Sequence, residues 1–432
     1  MKKRVDEYEG IDTELGITRG GRGRISLGKQ TFRSLKNPVF RLYYGGMLGQ
    51  RASMNMQMIA RSLLIYRLTG SAAILGGMAL AQALPMLFLS LFGGVIADRV
   101  QKKYVLLAGM VSSAVVSLGV ALTLTLGYLS VERTGSWWIL IAAGLLQGII
   151  MGLMIPSRQA ILPEIVSEEQ LMNAVALDTL GMNTLRLLAP ALSGFLIFAF
   201  DFGAVYYTMT GMYLMGTVVI AFMPLTGTMS LRGGGALADI KQGFQYIRRE
   251  THILLILAFT LFAVVLSMPY IMLMPIFVDD ILKVGAVGMG VLISVSGIGA
   301  ITGSLVLASL PNKKRGLMLL ISSLILGLAL AGFSFSSSWY LSLALIIFVG
   351  LGQAGRMTLG NTLLQYYTEE EYRGRVMSIY MMEFGLTSFS TFAAGLLTEA
   401  MGVQWAVGGF AMVLVLLSIL TLVFFPKIRE LD

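Results

Sequence analysis

Cysteine is absent from these 432 residues, and histidine occurs once, as His252. The first absence excludes disulfides, thiolate metal sites and thiol nucleophiles, and the second leaves no imidazole cluster for zinc. Charge is scarce too: 13% of residues are charged, against about 25% in soluble chains. What fills the space is apolar, at 56% of residues and a mean hydropathy of +0.79. Such a chain reads as an all-α membrane protein of many spans, with no enzymatic centre and no cofactor. One near-match to a phosphate loop, Gly23-Arg24-Ile25-Ser26-Leu27-Gly28-Lys29-Gln30, lacks the closing Ser or Thr and the preceding strand that nucleotide binding requires.

Apolar runs of roughly 20 residues or more span a hydrocarbon core about 30 Å thick. They fall near 39–66, 72–96, 104–128, 137–157, 172–199 and 204–223, then near 252–278, 286–310, 316–335, 339–363, 376–400 and 403–425. The organisation expected is a tail over 1–38, a six-helix half over 39–223, a polar linker over 224–251, a second half over 252–425 and a short tail over 426–432. The first 38 residues are polar and show no cleavable signal peptide. In the linker, Leu237, Ile240, Phe244 and Ile247 share one helical face, which suits a helix lying on a membrane surface.

The cations give the orientation. With both termini inside, 24 of the 32 Lys and Arg fall in inner segments and 3 (Arg67, Arg133 and Lys283) in outer loops. Cations near span ends are retained on the cytoplasmic side, so both termini are expected there, in the cytoplasmic membrane. The net charge of +9 is thus a topology signal and excludes a nucleic-acid partner. The halves also repeat weakly: Ser167-Glu168-Glu169-Gln170 before span 5 matches Thr368-Glu369-Glu370-Glu371 before span 11. Repeated halves meeting at a central site are a common transporter plan.

A tight charged turn, Gly93-Gly94-Val95-Ile96-Ala97-Asp98-Arg99-Val100-Gln101-Lys102-Lys103, separates spans 2 and 3. It resembles the signature loop of the major facilitator superfamily. Further segments resemble the superfamily's exporter branch, the transmembrane secretion effectors that include enterobactin and macrolide effluxers. These are Asn37-Pro38-Val39-Phe40-Arg41-Leu42, Leu68-Thr69-Gly70-Ser71, Ile161-Leu162-Pro163-Glu164-Ile165-Val166 with Asn173-Ala174, and Pro275-Ile276-Phe277-Val278-Asp279. The resemblance implies a major-facilitator-type fold of 12 transmembrane helices in two pseudo-symmetric six-helix halves. It also implies that Gly94, Asp98, Arg99, Lys102, Lys103 and Glu164 form a gate, with Asp98 meeting the start of span 11. Ala189-Pro190-Ala191-Leu192-Ser193-Gly194 resembles an antiporter motif, with Pro190 and Gly194 as its matching positions.

Ionisable residues inside spans are expensive and therefore functional candidates. Glu383 lies in the apolar stretch Ile379–Phe384, where a carboxylate is hard to keep charged and can load and release a proton. Asp178, shallower in span 5, is the second proton-coupling candidate. Either acid could instead serve a structural salt bridge to Arg51, Arg186 or Arg356. Asp178 and Arg186 stand roughly 12 Å and 80° apart on one helix, so their partners should come from other spans. The three deep arginines, Arg51, Arg186 and Arg356, point to a positive cavity and an anionic or zwitterionic amphipathic substrate. The 28 Met and 22 Phe provide adaptable apolar walls. The expected function is proton-coupled efflux of a drug-, siderophore- or lipid-like molecule by alternating access, with membrane lipids around a monomer. A lipid or lysolipid flippase or facilitator on the same fold is the alternative, and a sensor or scaffold without transport a third.

Overall fold

The computed structural model describes residues 32–225, 236–311 and 313–431, less the side chains at 91, 94, 95, 97, 98, 236–241 and 384. The roles expected of Gly94, Asp98, Leu237 and Ile240, and of the tail before residue 32, lie outside the described residues. The described residues contain no strand. Their helices are α1 (Pro38–Thr69), α2 (Ala72–Arg99), α3 (Lys102–Thr125), α4 (Trp138–Ile165), α5 (Glu168–Ala199) and α6 (Phe202–Ala221). After α7 (Ala236–Arg249) come α8 (Thr251–Ile281), α9 (Gly285–Ser309), α10 (Arg315–Phe335), α11 (Trp339–Tyr367), α12 (Arg373–Met401), α13 (Val403–Phe424) and the short α14 (Pro426–Arg429).

Among the described residues, 10 helices are long and apolar enough to cross a membrane. The two other long helices, α1 and α12, carry Arg41, Arg51, Arg61 and Arg67, and Arg373, Arg375, Glu383 and Glu399. Those charges lower their hydropathy, yet both pack inside the same bundle, α1 on α5 and α6, α12 on α2. Among the described residues, twelve long helices therefore pack as two halves. Pairings recur at equivalent places: α2 on α4 matches α9 on α11, and α3 on α6 matches α10 on α13. The seam between halves repeats as well, through α5 on α9 and α12 on α2.

Local chemistry sets the first helix ends. Asn37 Oδ1 accepts from Val39 N at 2.9 Å and from Phe40 N at 3.3 Å, with Pro38 following in the first turn. Gly70 ends α1 at φ 63°, in the left-handed region, and Ser71 Oγ then caps α2 by accepting from Ile74 N. Residues 33–37, expected in the tail, are instead docked. Ser34 N donates to Asn173 Oδ1 at 2.9 Å, and Asn37 Nδ2 donates to the Ile165 carbonyl at 2.8 Å.

Glycine permits the closest helix approaches. A Cβ on Gly148 of α4 would stand 2.1 Å from the Gln82 carbonyl of α2, and one on Gly350 of α11 would stand 1.9 Å from Ser296 O of α9. The expected end of span 4 at residue 157 is corrected: α4 runs on through Pro156 and Pro163 to Ile165. Its apolar run stops at Ser157 and Arg158 because those side chains face the bundle interior, not because the helix ends. The linker helix α7 packs on α12 through Gly243, Tyr246 and Ile247, with Tyr246 stacked on Tyr372 at 4.2 Å. Phe244, expected on the face that suits a membrane surface, is half-exposed.

Candidate functional site

Four helices of the first half, α1, α2, α4 and α5, line a cavity of about 410 Å³. Arg51 and Arg61 of α1, Arg158 of α4 and Arg186 of α5 line it, together with Met54, Met58, Met151 and Met182. Gln57, Gln82 and Gln147 add polar edges. No acidic side chain is among these lining residues, although Asp178 stands behind Arg51. Arg51 Nη2 donates to Asp178 Oδ2 at 2.6 Å, and Nη1 to the Asp178 carbonyl at 2.9 Å. Arg158 Nη1 donates to Gln50 Oε1 at 3.3 Å. Long guanidinium stems against thioethers make a wall that is apolar along its sides and cationic at its tips.

The structure thus brings Arg51, Asp178 and Arg186 to one place and leaves Arg356 out of it. Arg356, on α11, is fully buried in the second half, and its Nε, Nη1 and Nη2 have no hydrogen-bond partner. Glu383 of α12 lies beside it, 4% exposed. Its Oε1 accepts from Thr260 Oγ1 of α8 at 2.9 Å, while Oε2 has no partner. The acid and the guanidinium are near enough to interact electrostatically, without a direct ion pair. A buried charge with every nitrogen unpaired is costly unless water or a moving partner satisfies it.

At the end of the bundle carrying the linker, Lys102 Nζ meets Glu164 Oε1 at 2.6 Å. Both belong to the first half, so this pair fastens α3 to α4 and does not cross the seam. Lys103 instead donates to the carbonyls of Ala221 and Met223, where a cation satisfies the open C-terminal end of α6. Arg99 is exposed. Gly93 allows α2 to meet α4: a Cβ there would lie 2.5 Å from the Gly152 carbonyl.

Among the described residues, the polar ties across the seam sit toward the opposite end. Arg67 Nε donates to Asp279 Oδ2 at 2.8 Å and its Nη2 to Oδ1 at 3.1 Å, while the Tyr66 hydroxyl bonds Asp280. Glu399 of α12 accepts from Ala73 N at 3.1 Å and from Ser71 Oγ, an anion at the N-terminus of α2. Pro190 and Gly194 lie on the seam itself. A Cβ on Gly194 would be 2.4 Å from Ala286 O, and one on Gly290 would be 2.6 Å from Pro190 O.

Two cavity arginines did not stand out in the sequence. By sequence Arg158 falls among the inner-loop cations, because the apolar run ends there, and Arg61 is one of five cations within spans. The pattern that could have flagged Arg61 is its spacing from Arg51: ten residues along a helix whose polar positions include Asn55, Gln57 and Ser62.

The family model for transmembrane secretion effectors matches residues 29–432. The staphyloferrin A transporter of Staphylococcus aureus is 22% identical over 84% of this chain and 88% of its own length. The enterobactin exporter EntS of Shigella boydii is 26% identical over 78% of this chain and 77% of its own. Among solved structures, the nucleoside transporter NupG superposes with a TM-score of 0.73 at 11% identity, covering 90% of this chain and all of that one. A D-xylose–proton symporter gives 0.70 at 14% identity, over 92% of this chain and 99% of that one. These structural likenesses concern the fold.

Proposed function

We propose that this chain, which belongs to the transmembrane secretion effector family and is a transporter of the major facilitator type, exports a small amphipathic anionic or zwitterionic molecule by proton-coupled alternating access. The observation that carries the reading is the four-arginine, methionine-walled cavity set among the helices of the first half. Two halves with matched helix pairings that meet along a repeated seam are what a rocking transporter requires. The cation count favours both termini inside, in the cytoplasmic membrane of a bacterium. Siderophore-like chelators are among the candidate substrates, since two relatives are named for such molecules.

Glu383 is the proton carrier in this reading. It is enclosed, has one oxygen free, and stands beside the unpaired Arg356, so loss and gain of its proton changes the charge balance of the second half. Asp178 is the alternate, already engaged by Arg51. One proton crossing supplies about 2.3 kcal/mol per 100 mV, which holds a gradient of roughly 50-fold for a neutral solute. In proteoliposomes, Glu383→Gln should abolish uphill efflux while downhill exchange survives. If Glu383→Gln and Asp178→Asn both pump at the wild-type rate, the proton assignment fails. The facilitator alternative draws support from the four methionines of the cavity and predicts transport that no pH gradient can drive uphill.

A further inference from the structure

The last turn of α8 differs from the rest of the bundle. Residues Phe277–Ile281 form a π-helical turn, the only one among the described residues. Leu282 N donates to the Phe277 carbonyl at 2.7 Å, and Val284 N donates to the Val278 carbonyl at 2.8 Å. An α-turn closes on the fourth residue, so a turn closed on the fifth holds one residue in excess. The corner that follows is also unusual. Lys283 stands at φ 54° and Gly285 at φ 62°, and among the described residues Lys314 is the only other non-glycine residue with positive φ. Side chains rarely adopt that region. Pro275, just before the turn, has no N–H and denies the Ile271 carbonyl its usual donor. An excess residue, a left-handed lysine and a proline so close together cost energy, and such features persist where the fold uses them.

The contacts of the turn say what that use is. Phe277 and Val278 are fully buried in the second half, with the Phe277 ring 5.1 Å from that of Phe333 on α10. The next two residues face the first half. Asp279 accepts two bonds from Arg67, at 2.8 and 3.1 Å, and Asp280 accepts from the Tyr66 hydroxyl. Neighbours on an α-helix point about 100° apart, which would turn one of two adjacent acids away from α1. A wider turn spreads its residues over smaller angles and keeps both carboxylates on the side of α1. Arg67 is steadied in turn by the Phe202 ring of α6, 5.7 Å from its guanidinium. The corner touches it too, since a Cβ on Gly285 would lie 3.7 Å from Arg67 Nη2.

We propose that this π-turn is the hinge of a latch across the seam between the halves. Closed, it presents Asp279 and Asp280 together to Arg67 and Tyr66. Opening passes the excess residue out of the turn: Ile281 N replaces Leu282 N on the Phe277 carbonyl, the turn becomes α-helical, and Asp280 leaves Tyr66. Phe277 and Val278 stay in the core throughout, so the movement is confined to residues 279–285. One backbone bond is exchanged for another, which keeps the two arrangements close in energy, as a switch between discrete states requires. The hinge depends neither on the exported molecule nor on Glu383.

Deleting Ile281 tests it. The deletion removes the excess residue and puts Leu282, of equal size, in its place, with its N–H now at α-helical spacing from the Phe277 carbonyl. On a Met58→Cys background the deletion should speed reaction with an impermeant thiol reagent added from the side of Arg67 by about tenfold, the worth of one hydrogen bond to a charged group. Tyr66→Phe should speed it about as much in the undeleted chain and add nothing in the deletion, where Asp280 has already left. Asp279→Asn should speed it in both. A wild-type rate in the deletion, or a full further effect of Tyr66→Phe there, overturns the hinge. If the deletion yields no monodisperse protein, hydrogen exchange of the undeleted chain decides. Tyr66→Phe should then speed exchange at the Leu282 and Val284 amides several-fold and leave those of Phe277 and Val278 unchanged. Rates at Leu282 and Val284 that ignore the loss of the hydroxyl, or a rise spread equally over all of these amides, overturn it.

Discussion

Replacing Asp178 by Asn perturbs the best-defined ion pair of the cavity with almost no change of shape. The Arg51–Asp178 pair stands at 2.6 Å with side chains 8% and 19% exposed. Breaking one side of a buried pair typically costs about 3–5 kcal/mol. Two features reduce that here: Arg51 Nη1 keeps its 2.9 Å bond to the Asp178 carbonyl, and the carboxylate is partly exposed. A loss of about 1–2 kcal/mol remains. The same change removes the negative charge nearest the cavity arginines and frees a guanidinium nitrogen. Two charges about 8 Å apart at an effective dielectric of 20 interact by about 2 kcal/mol, so anion affinity should rise by up to about 30-fold. Stability and affinity therefore move in opposite directions. The assay is a thermal unfolding midpoint at one fixed scan rate, paired with titration of an anionic amphipath. Unchanged stability together with unchanged or weaker anion binding would refute the electrostatic account of the cavity.

Charge reversal at the linker end, by Lys102→Glu or Glu164→Lys, sets like charges at a 2.6 Å contact; each single change should lower the unfolding midpoint by about 1 kcal/mol equivalent and slow transport, and the swapped double variant should recover both. Arg67→Glu faces Asp279 and Asp280 and should loosen the opposite end, so that a Met58→Cys thiol in the cavity reacts faster with an impermeant reagent added from that side. The absence of native cysteine makes that labelling unambiguous, and an unchanged rate would count against the seam assignment. Gly148→Ala places a Cβ 2.1 Å from a backbone carbonyl of α2 and should cost about 2 kcal/mol or more, seen as loss of monodisperse protein on gel filtration. Gly211→Ala, which meets nothing within 4 Å, should behave as wild type.

Much of the architecture was legible because its causes are local. Most of the spans follow from the transfer free energy of each apolar run, which depends on composition and not on neighbours. The cap residues Asn37, Gly70 and Ser71 act within one turn of where they stand, so the ends of α1 and the start of α2 could be read directly. The weak internal repeat foretold the matched pairings of the two halves. Asp178 and Arg186 were separated by helix geometry alone, which put the partner of Asp178 on another span; that this partner is Arg51 came from the structure.

Tertiary structure alone decided which way the charges face. Arg51, Arg186 and Arg356 look alike in sequence, as single cations in apolar runs, yet packing turns the first two into the cavity and encloses the third beside Glu383. Arg158 read as a loop cation because hydropathy marks where apolar character stops, whereas the backbone hydrogen bonds of α4 continue to Ile165. Lys102 and Lys103 are adjacent in the chain but point to different helices, one to Glu164 and the other to the end of α6. The sequence by itself determined a twelve-span bundle in two halves and its charge bias, because those properties are sums over short segments. Where the buried guanidinium groups meet, and which are left without partners, depends on side chains from helices far apart in the chain, and only the packed bundle brings them together.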